Sequence, residues 1–254
     1  MKNKNFNGIL YGLALFIIFM IIDSSVATMK FPHHELIYAT ARFLFSLFVV
    51  YVFFKTMKTD KLFKYRLKLN NYNRFFIILL VLICLGLYFI INRGLNQIID
   101  IFSKDIFTIT STLLLALSAG IFEEYLTRGF FFQSFFNIFK KNKLIMSSLL
   151  SSFLFGFLHI YNIFNKGLTP TLQQVFYATA FGLLLAALRI SLNGLLLNVG
   201  LHTLVDFQLN LLSSVSPQNN TPWVGILVVF IPIALISFLA ILSLNKEMKL
   251  ISRF

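Results

Sequence analysis

Charge is what this chain has least of. Only 12% of its 254 residues are charged, while 58% are hydrophobic and the mean hydropathy is +0.82. A soluble domain carries roughly 25% charged and 45–50% apolar residues. The balance excludes a water-soluble globule and leaves a polytopic membrane protein. Acid is scarcer than base, with 9 Asp and Glu against 22 Lys and Arg. A net charge of +13 would suit nucleic acid if the basic residues formed one patch. They fall instead in short blocks between apolar runs, the positive-inside pattern, so no nucleic-acid partner is expected. Cysteine occurs once, as Cys84 in an apolar run, which excludes an internal disulfide and a CxxC metal site. Internal repeats and matched Gly/Pro-broken segments are also lacking, which argues against a secondary transporter.

What is present is a series of apolar runs. They predict an all-α membrane bundle of about eight transmembrane helices in a single domain, 1–254. The expected spans are Ile9–Ile22, Leu36–Phe54, Phe75–Ile91, Ile106–Phe139, Leu144–Phe164, Thr171–Leu188, Gly194–Leu212 and Trp223–Leu244. Ile9–Ile22 is read as a span rather than a signal peptide, because Asp23 interrupts the small residues that follow. Lys2 and Lys4, the loop Lys55–Arg74, the cluster Lys140, Lys141 and Lys143, then Arg189, and finally Lys246, Lys249 and Arg253 all fall on one side. Lys30, Arg93, Lys104 and Lys166 fall on the other. This asymmetry places both termini in the cytoplasm. The richness in Phe, Ile, Lys and Asn resembles AT-rich coding, so the expected membrane is a bacterial plasma membrane. Small residues recur every fourth position, at Ala116 and Gly120, at Ser148, Ser152 and Gly156, and at Ala178, Gly182 and Ala186. Such ridges let helices approach closely in lipid, and they predict that spans four, five and six pack as a group.

Polar residues inside the spans carry the functional signal. Glu123, Glu124 and Arg128 sit in a run of Leu, Ala, Ile and Phe, where each ionisable group costs about 2.5–3.5 kcal/mol on insertion scales. Glu124 and Arg128 are four apart with the carboxylate first, the favoured order for an ion pair on one helix face. Glu123 is turned about 100° away and has no such partner in its own helix. His159 lies in span five, and His202 and Asp206 share one face of span seven. Counted from the turn near Lys141, Glu123 lies about 18 residues before and His159 about 17 after, which sets an antiparallel pair level. His202 and Asp206 lie roughly 17–23 Å beyond the turn near Ser191. All four reach the middle third of the membrane. Asp23 and Arg42, in spans one and two, read as structural or mutually paired groups, and His33 and His34 as solvated loop residues.

The ordered set Glu-Glu-x-x-x-Arg (Glu123, Glu124, Arg128), Phe-x-x-x-His (Phe155, His159) and His-x-x-x-Asp (His202, Asp206) resembles the signatures of the CPBP family. Its members are the type II CAAX prenyl endopeptidase-like intramembrane proteases, also called Abi proteins. The motif-bearing core is 106–212. The resemblance implies peptide-bond hydrolysis in the membrane without a covalent intermediate. Cys84 lies in span three, away from the motif spans, and no serine stands beside a base. Water is then the nucleophile and Glu123 its general base. His159 orients the water or protonates the leaving amine, and His202 and Asp206 stabilise the oxyanion, His202 as donor, with Asp206 holding the His202 tautomer or donating if protonated. Glu124–Arg128 keeps the helix in register. The metal-free version is favoured, but Zn²⁺ on Glu123, His159 and His202, with Glu124 or Asp206 as base, stays open. The implied partners are membrane lipid and a hydrophobic, lipidated or membrane-embedded peptide. The alternative is a non-catalytic bacteriocin-immunity or regulatory protein that binds peptide without cutting it.

Overall fold

Apolar runs fold into helices throughout the described residues. A computed structural model describes residues 2–27, 33–209 and 221–251, and among these residues there is no strand. Lys30, Arg253 and positions 210–212 of the expected seventh span lie outside the described residues. The first two helices are α1 (Lys2–Ala27) and α2 (His34–Met57). Helix α3 (Asn71–Gly86) continues as a π-helical turn, Leu87–Ile91, and a short helix α4 (Gly94–Phe102) follows. Helix α5 (Ile106–Glu124) runs through a second π-helical turn, Tyr125–Phe131, into α6 (Phe132–Ile138). Next come α7 (Lys143–Leu158), a 3-10 turn His159–Asn162 and α8 (Ile163–Lys166). The set closes with α9 (Leu168–Leu192), α10 (Leu196–Asp206) and α11 (Trp223–Ile251).

The starts of these helices have local chemical causes. Asn70 accepts from the Asn73 amide at 2.8 Å and caps α3. Asp105 caps α5 by accepting from the amides of Phe107 and Thr108 at 2.9 and 3.1 Å and from the Thr108 hydroxyl at 2.7 Å. Those bonds, the Thr108 hydroxyl foremost, hold the Asp105 carboxyl below its ordinary range.

Among the described residues, seven segments are long and apolar enough to cross a membrane: Asn7–Val26, His34–Met57, Asn71–Ile91, Ile106–Ile138, Lys143–Lys166, Leu168–Leu192 and Trp223–Lys249. The protein is an integral membrane protein. Large side chains such as Ile17, Leu44, Val228 and Leu235 are more than half exposed, as lipid-facing residues are where no water must be excluded. The segment Leu168–Leu192 is the central one, with 72% of its apolar window buried.

The seventh expected span differs in form. Helix α10 has 11 residues, about 17 Å at 1.5 Å per residue, half the roughly 30 Å hydrocarbon core. It nevertheless passes from one side of the bundle toward the other. At its start the Leu195 amide donates to Asp60 at 3.3 Å, and at its end the Phe207 carbonyl accepts from the Tyr88 hydroxyl at 3.3 Å. A short helix suffices because the loop after α2 folds back into the bundle. Asn193 accepts from the amides of Leu62 and Phe63 at 2.8 and 2.9 Å and donates to the Phe63 carbonyl at 2.8 Å. Arg189 donates to the Asp60 carbonyl.

The expected grouping of spans four, five and six holds only in part. Gly156 on α7 does face α9, where an added Cβ would fall 2.5 Å from the Val175 carbonyl oxygen. Gly120 on α5 faces α10 instead: an added Cβ would fall 2.9 Å from the Thr203 amide nitrogen and 3.0 Å from the Val199 carbonyl oxygen. That close approach brings the acidic motif onto the His202 helix.

Candidate active site

Glu124, the last residue of α5, is the hub. Its side chain is 0% exposed, and its Oε1 accepts from Arg128 Nη1 at 2.9 Å. The predicted i,i+4 pair is present, with both partners fully buried. Glu124 does more than clamp its own helix. Oε1 also meets His202 Nδ1 at 3.0 Å, and Oε2 accepts from Asn198 Nδ2 at 3.1 Å. The same Asn198 group donates to the Leu185 carbonyl at 2.7 Å, which ties α5, α9 and α10 together at one point. Arg128 also donates to the Thr127 hydroxyl at 2.6 Å, and its guanidinium lies 4.4 Å from the centre of the Phe155 ring. Gly182 leaves the room it needs, because a Cβ there would come within 3.0 Å of Arg128 Nη2.

Glu123 lies one residue earlier and turns toward open space. Its side chain is 22% exposed and its Oε2 stands 3.5 Å from His202 Nε2. Asp206, 27% exposed, places Oδ2 3.4 Å from the same nitrogen. Both distances exceed ordinary hydrogen-bond length, so Nε2 faces a gap between two carboxylates rather than a committed partner. The His202 ring is itself 4% exposed, with the edge-to-face rings of Phe155 and Phe181 at 5.6 and 5.5 Å.

Of the carboxylates around His202, Glu124 is the one at hydrogen-bond distance from Nδ1, while Asp206 stands off Nε2. One correction concerns Cys84. It is fully buried in the core that includes Leu201 and Leu184 and interacts electrostatically with Glu124, so it is not remote from the motif helices.

His159 sits at the edge of this cluster. It ends α7, where the α-helix gives way to the 3-10 turn, and it is half-buried. Its Nδ1 bonds the Phe155 carbonyl at 2.9 Å. A carbonyl only accepts, so Nδ1 carries the proton and Nε2 is left as the free ring nitrogen. Among the site carboxylates, Asp206 interacts with His159 electrostatically.

Arg42 and Asp23 pair as expected, at 3.5 Å, with the Tyr38 hydroxyl donating to Asp23 at 2.7 Å and accepting from Arg42 at 3.0 Å. Arg42 also interacts electrostatically with Glu123. His33 and His34 are not simply solvated. His33 stacks on Phe107 at 4.5 Å and His34 Nε2 bonds the Val26 carbonyl at 2.8 Å.

Two features escaped the sequence reading. The available signal for Asn198 was a lone amide one turn before His202. The π-helical turn Tyr125–Phe131 had no local signal beyond Gly129.

Among the described residues, no group of three or more His, Cys, Asp and Glu side chains is gathered so as to hold a metal ion. The cluster presents two part-exposed carboxylates, one ring nitrogen between them and a buried charge-balanced support behind. That is the equipment for moving a proton and stabilising a developing negative charge.

Residues 105–208 match the family model described as type II CAAX prenyl endopeptidase Rce1-like. No curated protein and no solved structure matches the chain.

Proposed function

We propose that this chain, whose residues 105–208 match the Rce1-like model of type II CAAX prenyl endopeptidases, hydrolyses a peptide bond of a hydrophobic or lipidated peptide with water activated by Glu123. The family-level activity is that of a CAAX-type intramembrane endopeptidase acting in a lipid environment. The particular reading rests on one observation. Glu123 and Asp206 converge on His202 Nε2 from open space, while Nδ1 of the same ring is held by the buried Glu124.

In this mechanism Glu123 takes the proton of a water lying in the gap, and the hydroxide attacks the scissile carbonyl. Glu124 cannot fill that role, because it is wholly buried and its charge is balanced by Arg128. In the doubly protonated ring, His202 Nδ1–H donates to Glu124 and Nε2–H donates to the oxyanion, with Asp206 balancing the charge from the other side. His159, anchored through Nδ1, offers its unprotonated Nε2 to orient the water, or takes the proton from Glu123 there and passes it to the leaving amine. The expected membrane is a bacterial plasma membrane.

Cleavage of a fluorogenic lipidated peptide by the purified protein tests this reading. Glu123→Gln should lower kcat by about 10²–10⁴-fold, the usual worth of a general base, with the fold intact by circular dichroism. Wild-type activity should survive exhaustive chelation. Stoichiometric zinc whose removal stops cleavage would move Glu123, His159 and His202 into a metal site. Full activity in Glu123→Gln would remove that residue from the chemistry, and peptide capture without any cleavage would make the chain a binder.

A further inference from the structure

We infer that the cleft between α6, α7 and the end of α11 is a binding site for the headgroup of an anionic phospholipid. The cleft has a volume of about 530 Å³, within the range of small-ligand sites. Lys140, Lys141, Lys143 and Lys249 line it, and among the described residues no carboxylate does. Glu247, the nearest acid in sequence, is turned away to accept from Asn70 Nδ2 at 2.5 Å. Apart from Asn142, the remaining wall is apolar, made by Phe63, Phe136 and Met248, with Lys143 Nζ 5.4 Å from the Phe136 ring centre.

Charge and position together select the occupant. The ammonium groups of Lys140, Lys141 and Lys143 around one cavity repel each other unless an anion lies among them. The cleft lies where α6 and α11 leave the apolar layer, on the side that carries the basic blocks, and basic pockets between helices at that level suit lipid headgroups. The apolar wall would take the first carbons of the acyl chains, which free phosphate lacks. The start of α7 adds to the field. Asn142 gives α7 no side-chain cap, because its Oδ1 accepts from Lys249 at 2.8 Å, so the first-turn amides of α7 stay open at the cleft's edge.

The test uses the full chain in phosphatidylcholine nanodiscs titrated with phosphatidylglycerol, with retained lipid counted by native mass spectrometry. Wild type should retain phosphatidylglycerol in preference to phosphatidylcholine. Replacing Lys140, Lys141, Lys143 and Lys249 by Gln should weaken retention by roughly five-fold per charge, and four Arg replacements should keep it. Removing Lys55, Lys61 and Lys68 from the same face should leave retention unchanged. Equal retention by the four-Gln protein, or equal loss in the Lys55/Lys61/Lys68 control, would overturn the proposal. So would inorganic phosphate that displaces the lipid at equal concentration, which would make this a free-phosphate site.

Discussion

At the scale of the residue, the site separates two adjacent carboxylates by burial. Glu124 has three polar partners and no exposure, whereas Glu123 has one distant ring nitrogen and a 22% exposed side chain. A buried ion pair broken on one side leaves an uncompensated charge, at a cost of about 3–5 kcal/mol. Arg128→Ala should therefore cause a large loss of thermal stability in detergent, because Glu124 would keep its charge without its counter-ion. Asn198→Leu removes bonds to Glu124 and to the Leu185 carbonyl and should cost about 1–3 kcal/mol. Its effect on activity should fall on kcat more than KM, since Asn198 supports the group that orients His202 and does not line the gap. Stability curves beside steady-state kinetics separate the two variants.

At the scale of the element, the proposed mechanism depends on how closely α5 and α10 approach. Gly120 is the contact point, and a Cβ there meets the backbone of α10, which cannot rotate away. Gly120→Val should push the helices apart and lengthen the Glu123–His202 gap, so activity should fall by at least about a hundredfold for a shift near 1 Å. Gly200 lies on the same α10, yet a Cβ there meets nothing within 4 Å. Gly200→Ala should raise stability by up to about 1 kcal/mol from helix propensity alone and leave turnover unchanged. Measured side by side, the two substitutions distinguish a steric contact from a general dislike of mutation in these helices.

At the scale of the whole molecule, the short α10 decides the topology. Seven long helices alone would put the start of α1 and the end of α11 on opposite sides. Counting α10 as a crossing, from Asp60 at its start to Tyr88 at its end, returns them to the same side. The basic blocks then lie together, as positive-inside asymmetry requires. Reporter fusions ahead of α1 and after α11 should both report the cytoplasm, and a label placed in the 93–105 segment should be reached from outside. Opposite locations for the two fusions would show that α10 does not complete a crossing.

Much of this was legible in the chain itself, for a physical reason. Lipid cannot hydrogen-bond a backbone, so hydropathy alone dictates a helical bundle, and charge asymmetry dictates its direction. Pairs within one helix were legible too: Glu124 with Arg128, and His202 with Asp206, follow from 3.6 residues per turn without knowledge of any neighbour. What periodicity cannot supply is the rotation of one helix against another. Only the packing of Gly120 against α10 decided that His202 Nδ1 meets Glu124, leaving Nε2 to Glu123 and Asp206. The same packing brought Asn198 into the network, folded the loop at Asp60 and Phe63 back into the bundle, and let an 11-residue helix span it. Those outcomes depend on contacts between residues 74 to 135 positions apart, and no local pattern encodes which of several polar faces will turn inward.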